Sequence, residues 1–410
     1  MMKFLRFWVL PCLLGVLLAM TTTPADATPA RVRQVAEFTD PENGADDQFG
    51  YSVGLSGNVL AVGTPESFAS GVTYVYTNSG GRWEQAAELL PPTGFGLFGV
   101  SVAVSPDVIA VGSQTTQPYF GAVLVFVKPE GGWRGTLTPT AELTVAAQPD
   151  NLLGTSVAIP SDGKTIVAGG PGTGGLGGAY VFVEPEGGWA DMTEPTAALT
   201  PASGHEVGQS VAMSGDTIVA GENNSLTLAS AYVFVKPGGG WVSTSQPNAT
   251  LTASNENNVD EFAVSVAISG NTVVVGSPFY PNGVGPGAAF VYVEPRTGWQ
   301  DMTQTAELSM ATNSTLELGT AVAVEGNVVL AGAPFDTIGH NDEQGAAFGY
   351  VKPARGWANT SQPNVSVTGH DGGATDRFGH SIAISGNNAV IGAPYHGGDL
   401  QGAVYIFAEQ

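Results

Sequence analysis

The sequence predicts an all-β chain: a seven-bladed β-propeller of four-stranded antiparallel blades, closed by an N-terminal strand that completes the last blade. Three observations carry this expectation. First, a short element of the form S-V-A-hydrophobic occurs seven times, as SVGL at Ser52, SVAV at Ser101, SVAI at Ser156, SVAM at Ser210, SVAI at Ser265, AVAV at Ala321 and SIAI at Ser381. The copies stand 49, 55, 54, 55, 56 and 60 residues apart. Strand-like runs at a period of about 50 residues mark propeller blades, whereas leucine-rich and hexapeptide units are far shorter. Second, a tryptophan follows each of the first six copies: Trp83, Trp133, Trp189, Trp241, Trp299 and Trp357. Third, the composition of 57 Gly and 27 Pro in 410 residues, with 43% hydrophobic and 12% charged, suits short strands and tight turns rather than disorder.

The fifth unit shows the elements in order. Val264–Ser269 (VSVAIS) is the first strand and Gly270-Asn271 a tight turn. Thr272–Gly276 is the second strand, and a longer loop, Ser277–Pro286, leads to the third, Ala288–Val293. The turn EPRTG precedes Trp299, and Thr305–Ser309 is the fourth strand. Small residues suit inner strands that crowd around a central axis. The tryptophan at the outer turn is expected to pack between neighbouring blades. The ends complement each other. The last unit stops at AVYIFAEQ without a fourth strand, and Gln34–Phe38 (QVAEF) resembles the TAELT of Thr140–Thr144. Pairing the two would close the ring and remove an exposed sheet edge.

Residues 1–27 read as a signal peptide, leaving 28–410 as the propeller. Lys3 and Arg6 precede an apolar run that ends in the small-residue pattern Ala25-Asp26-Ala27, a cleavage signature. The run is short for a membrane span. The one cysteine, Cys12, lies within it, so the mature chain relies on core burial without disulfides. It keeps 11 basic against 35 acidic residues, a formal charge of −24. That balance argues against nucleic-acid backbones and anionic membranes as partners. A secreted location, extracellular, periplasmic or at the cell surface, follows. The triplets N-x-S/T at Asn223, Asn248, Asn313, Asn359 and Asn364 are glycan acceptors only in a eukaryotic secretory path.

The order F-G-x-S-V-A, then G-A-P, then G-A-V-Y resembles the FG-GAP repeat of integrin α-subunit propellers. The clearest matches are Phe378-Gly379, Gly392-Ala393-Pro394 and Gly402-Ala403-Val404-Tyr405, with Phe49-Gly50, Gly63-Thr64-Pro65 and Gly332-Ala333-Pro334 close behind. The resemblance implies a seven-bladed propeller with extracellular binding or cell-adhesion roles. In that family calcium is held by an acidic loop between the first two strands. Here those loops are tight turns such as Gly270-Asn271 and Gly386-Asn387. One carboxylate at most cannot surround a calcium ion that needs six to eight oxygens. We therefore expect no cofactor, and calcium only outside the family's usual loops.

No catalytic motif of the G-x-S-x-G, H-E-x-x-H or phosphate-loop type occurs. Carboxylates gather in the loops between blades: Asp40, Glu42, Asp46 and Asp47; Glu256, Asp260 and Glu261; Asp371 and Asp376. Asp47, Asp260 and Asp376 stand two residues before a phenylalanine, where turn capping explains them better than metal binding. The loops between second and third strands vary most in composition, as binding loops on a rigid scaffold do. They offer Tyr119 and Phe120, Phe279 and Tyr280, Phe335, Asp336 and His340, and Tyr395 and His396 as candidate ligand-binding residues. Aromatic rings beside carboxylates suit a carbohydrate or peptide ligand. The expected function is a non-catalytic binding propeller. The alternatives are a polysaccharide hydrolase or lyase with axial carboxylates, and a structural module of the cell envelope.

Overall fold

The computed structural model describes residues 32–409 apart from 43, 68–69, 116–120, 146–150, 173–174, 176, 203–204, 223–227, 256–259, 313 and 398. Residues 1–31, where a leader is expected, and the candidates Tyr119 and Phe120 therefore lie outside the described residues. Seven sheets stand in a ring as the blades of a propeller. In blade 1 the four antiparallel strands are Ser52–Ser56, Val59–Thr64, Val72–Ser79 and Arg82–Leu89. The first strands of successive blades, from Ser52–Ser56 to Ser381–Ser385, neighbour one another around the axis, and blade 7 meets blade 1 there. The outer strand of blade 7 is the N-terminal Val32–Thr39. It runs antiparallel to Ala403–Glu409, with Val32 opposite Glu409 and Thr39 opposite Ala403. Among the described residues no helix is long and apolar enough to cross a membrane.

The turns between the first and second strands are short in five blades. Gly57, Gly215, Gly270, Gly326 and Gly386 sit at φ 55–59° and open two-residue hairpins. That twist matches the strands and requires positive φ. Two of the second strands that follow, Val59–Thr64 and Thr272–Ser277, are buried throughout. A strand covered by sheets on either side reads as continuously apolar.

The repeated F-G, G-A-P and S-V-A elements converge on one backbone carbonyl per blade. The serine of each S-V-A donates its hydroxyl to the carbonyl that follows the buried phenylalanine position of the next blade. The series is Ser52 to Gly99, Ser101 to Gly154, Ser156 to Gly208, Ser210 to Ala263, Ser265 to Gly319 and, across the closing seam, Ser381 to Gly50, all at 2.7–2.9 Å. Blade 6 has Ala321 at this place and lacks the hydroxyl. The glycine of each G-A-P lies against the same carbonyl. A Cβ on Gly392 would overlap the Gly50 oxygen, one on Gly276 the Gly319 oxygen, and one on Gly332 the Gly379 oxygen. Glycine is present because backbone meets backbone there.

Seven apolar clusters fill the seams, each drawing on two adjacent blades. Six contain one tryptophan, as expected. Trp83 closes the seam between blades 7 and 1, and Trp133 to Trp357 close those from 1/2 to 5/6, each at most 9% exposed. Behind each of the latter five, the chain passes beside the outer strand of the preceding blade as a parallel fifth strand or bridge. Gly135–Leu137 joins blade 1, Met192 blade 2, Thr244 blade 3, Met302–Thr303 blade 4 and Thr360 blade 5. The residue two after the tryptophan caps that outer strand. Asp191, Ser243, Asp301 and Asn359 accept from the amides of Glu142, Ala198, Thr250 and Glu307 at 2.8–3.0 Å. Asn248 and Asn364 also have structural duties, accepting from the amides of Val235 and Val351 just as Thr140, Thr196 and Thr305 do in their blades.

Ala321→Ser is expected to supply the missing hydroxyl and raise stability by about 0.5–1.5 kcal/mol, and Ser101→Ala to lower it by a similar amount. Urea unfolding midpoints check both; a Ser101→Ala chain as stable as the parent contradicts the account.

Candidate functional site

The inter-blade loops and the loops between second and third strands open at one end of the ring, opposite the hairpin turns. At that end each blade holds a strained residue. The residue before the buried phenylalanine position lies at positive φ in all seven: Gln48, Leu97, Leu152, Glu206, Glu261, Glu317 and Arg377, at 49–58°. For residues with a Cβ this region costs roughly 1–2 kcal/mol, so the turn is imposed by its surroundings. These residues lead into the innermost strands, and the charges of Glu261, Glu317 and Arg377 on successive blades act on one another there. Blades 4, 5 and 6 place carboxylates there, and blade 7 places Arg377.

Arg377 organises the site. Its guanidinium carbon lies 4.5 Å from the centre of the Phe335 ring on blade 6 and 4.7 Å from that of Tyr395 on blade 7. It also pairs with the Glu343 carboxylate at 3.1 Å. Burial pushes the Glu317 carboxyl up to about 7; Arg377 opposes this, and the charges of Glu261 and Glu343 add to it. Beside this group His380 packs against Tyr51, with ring centres 4.8 Å apart, and its Nδ1 lies 3.2 Å from the Tyr51 carbonyl oxygen. Burial pushes the His380 imidazole down to about 4, so it is neutral at ordinary pH and donates from Nδ1.

A second cluster adjoins it through Tyr395-His396. His396 Nδ1 lies 2.8 Å from the buried Asp376 carboxylate, and its Nε2 lies 3.8 Å from Asp371. The Tyr405 hydroxyl donates to Asp371 at 2.9 Å. The hydrogen bond to Asp376 raises the His396 imidazole above its usual 6.5; burial opposes this, and the charges of Asp376, Asp371 and Glu37 reinforce it. Glu37, on the closing N-terminal strand, is raised by burial and then by Asp371. Burial acts in the same sense on Asp371, but the Tyr405 hydroxyl and a backbone amide hold that carboxyl below the usual range. The two carboxyls are thus pushed in opposite directions, Glu37 up and Asp371 down. Glu37, His370 and Asp371 each present one ligand atom within 4.8 Å of the others, the spacing a metal ion would need.

The structure gathers Phe335, Tyr395 and His396 at this site. Asp336 flanks it, half-buried and raised by burial. His340 is exposed on the same blade-6 loop and outside both clusters. Phe279 and Tyr280 belong to blade 5, away from the site. Tyr280 is 8% exposed and meets Phe290 edge-on at 5.0 Å, so its ring serves the core. The three aspartates before phenylalanine are buried, and two of them visibly cap turns: Asp260 accepts from Gly283 N at 2.9 Å, and Asp376 from Gly373 N at 2.6 Å. Burial and then Asp40 raise Asp47 to about 6. Glu37, Glu317 and Arg377 escaped sequence reasoning as site residues, whereas Glu343 lies in the blade-6 loop that the sequence already offers. The available signal was position: Glu317 and Arg377 occupy the same place in their repeats, one residue before F-G or its equivalent.

His396 is expected to keep its proton above pH 6.5. Its raised value means that its contribution to stability is full below 6.5 and is lost as pH rises through that value. Asp376→Asn should return the imidazole toward 6.5 in an NMR titration; an unmoved titration contradicts the assignment.

With the geometry established, comparison with known proteins is specific in one respect. The FG-GAP repeat family matches residues 32–76, 246–292 and 364–407. Each stretch begins with the outer strand of one blade and ends in the third strand of the next. The repeat therefore straddles a seam, and residues 32–76 carry the chain from blade 7 into blade 1. No curated protein matches the sequence. A chain in a solved structure titled "Crystal Structure of Mitotic Checkpoint Complex" is similar in fold, with a TM-score of 0.57 at 13% identity over 100% of this chain and 99% of that one. At that identity the likeness concerns the fold alone. The chain is thus a seven-bladed propeller that carries FG-GAP repeats and resembles the N-terminal propeller of integrin α-subunits.

Proposed function

We propose that this chain is an exported binding propeller that holds a protein or glycan ligand on its loop-rich face over blades 6 and 7. One observation carries the reading: Arg377 lies between the rings of Phe335 and Tyr395 while paired to Glu343. A guanidinium held between two rings is pre-organised, and less freedom is lost when a partner binds. Aromatic faces, a fixed cation and adjoining carboxylates suit the mixed polar and apolar surface of a sugar or peptide. Extracellular adhesion roles of FG-GAP propellers and the leader-like residues 1–27 support export.

A polysaccharide hydrolase or lyase is the second reading, favoured by Glu317 alone. A carboxyl raised to about 7 beside other carboxylates has the character of a general acid. The innermost strands supply little else. Among their described residues the one carboxylate is Glu325, which accepts from the Gly386 amide at 2.8 Å.

Glycan and peptide arrays test the first reading. Binding that falls at least about tenfold, about 1.4 kcal/mol, in both Arg377→Ala and Tyr395→Ala is expected. Absence of binding across broad panels contradicts it. Polysaccharide cleavage that disappears in Glu317→Gln would instead establish the second.

A further inference from the structure

The seam between blades 6 and 7 differs from the other six. It has no tryptophan, and its cluster is the smallest. Among the described residues no parallel bridge covers the blade-6 outer strand Val365–Val367. The strand register shows which residue replaces the tryptophan. In blade 1, Ala87 pairs with Val75, the register slips by one residue, and Trp83 pairs with Asn78. In blade 7, Ala36 pairs with Ile406, the register slips in the same place, and Val32 pairs with Glu409. Val32 therefore stands where Trp83 stands. A second side chain is also missing. Gly349 takes the place of Val75, Val125, Val181, Val233 and Val291 in the third strands, all fully buried.

The result is a cavity of about 350 Å³ bordered by Val32, Leu330, Gly349, Val365, Val367 and Phe407. It lies at the hairpin-turn end, away from the loop-rich face. Leu330, Val365 and Val367 are half-buried, whereas their counterparts in blades 1 to 5 are 0–2% exposed. The volume falls within the range of small-molecule sites, about 300–1,000 Å³. In blade 3 the Trp189 Nε1 donates to the Gly163 carbonyl at 3.1 Å, whereas the buried Nε1 of Trp83, Trp133, Trp241, Trp299 and Trp357 has no partner, so it is the ring and its apolar area that fill these seams.

We propose that this seam is a binding site for a small bicyclic aromatic of the indole class, which takes the place that tryptophan fills at the other six. Its ring covers Leu330, Val365 and Val367. Apolar cavities retained in a folded core bind such rings when nothing else fills them. This inference stands on the cavity and is independent of the ligand on the opposite face.

Fluorine NMR of a fluorinated indole against the full chain tests it. Saturable one-to-one binding is expected, with affinity at least about tenfold weaker in Val32→Trp, whose unfolding temperature should rise. Gly349→Val gives a second filled variant should the first fold poorly. Comparable binding of N-acetyltryptophanamide would assign the site to an indole borne on another chain, and preference for free indole to a small molecule; both uphold the site. Three results overturn it: no saturation in the full chain, equal binding in both filled variants, or binding that emerges only when residues 1–31 are removed. The last would mean that the N-terminal segment, which carries Trp8, holds the place itself.

Discussion

The ring depends on a close approach of backbone to backbone. At each seam the carbonyl after the buried phenylalanine position faces a glycine of the preceding blade, and six of the seven also receive a serine hydroxyl. The contact sets how near two blades can come, and hence how many fit around the axis. It also explains why three separate pieces of the repeat vary so little. The phenylalanine anchors the turn, the G-A-P glycine makes room, and the serine satisfies an oxygen that neighbouring sheets would otherwise bury without a partner. Because Ser381 repeats the contact on Gly50, the last seam is of the same kind as the others.

This division of labour determines where specificity can reside. Residues facing the seams are fixed by packing, so variation is confined to the two ends of the ring. At the loop-rich end, the imposed positive φ aims one side chain per blade at the axis, and sequence decides only which side chain it is. Glu261, Glu317 and Arg377 on successive blades give that end a charged group. At the opposite end the hairpin turns are uniform, and the departure lies in a seam that lost its aromatic plug where the chain ends join.

Much of this was legible in the sequence. The seven S-V-A copies and the six tryptophans gave the blade count, and QVAEF declared itself as an outer strand because its pattern matched TAELT. The Gly-Asn turns announced hairpins in place of cation loops. Other features were hidden for physical reasons. The capping by Asp191 and Asp301 joins residues about fifty positions apart, so no local pattern reports it. Tyr280 looked like a loop aromatic, yet its ring turns inward onto Phe290. Arg377 had only its place before F-G as a signal, because its role comes from rings on two different blades. Val32 lies outside the strand Gln34–Phe38 that the sequence suggests, and only the register equates it with Trp83.

The most direct measurement is thermal unfolding of single glycine-to-alanine chains at Gly63, Gly112, Gly169, Gly221, Gly276, Gly332 and Gly392. Gly238→Ala serves as reference, since an added methyl there meets nothing within 4 Å. If the seams are held by this approach, all seven lose on the order of 1–3 kcal/mol or more through overpacking, while Gly238→Ala stays near the parent. Seam substitutions as mild as Gly238→Ala would show that the blades are spaced by something else.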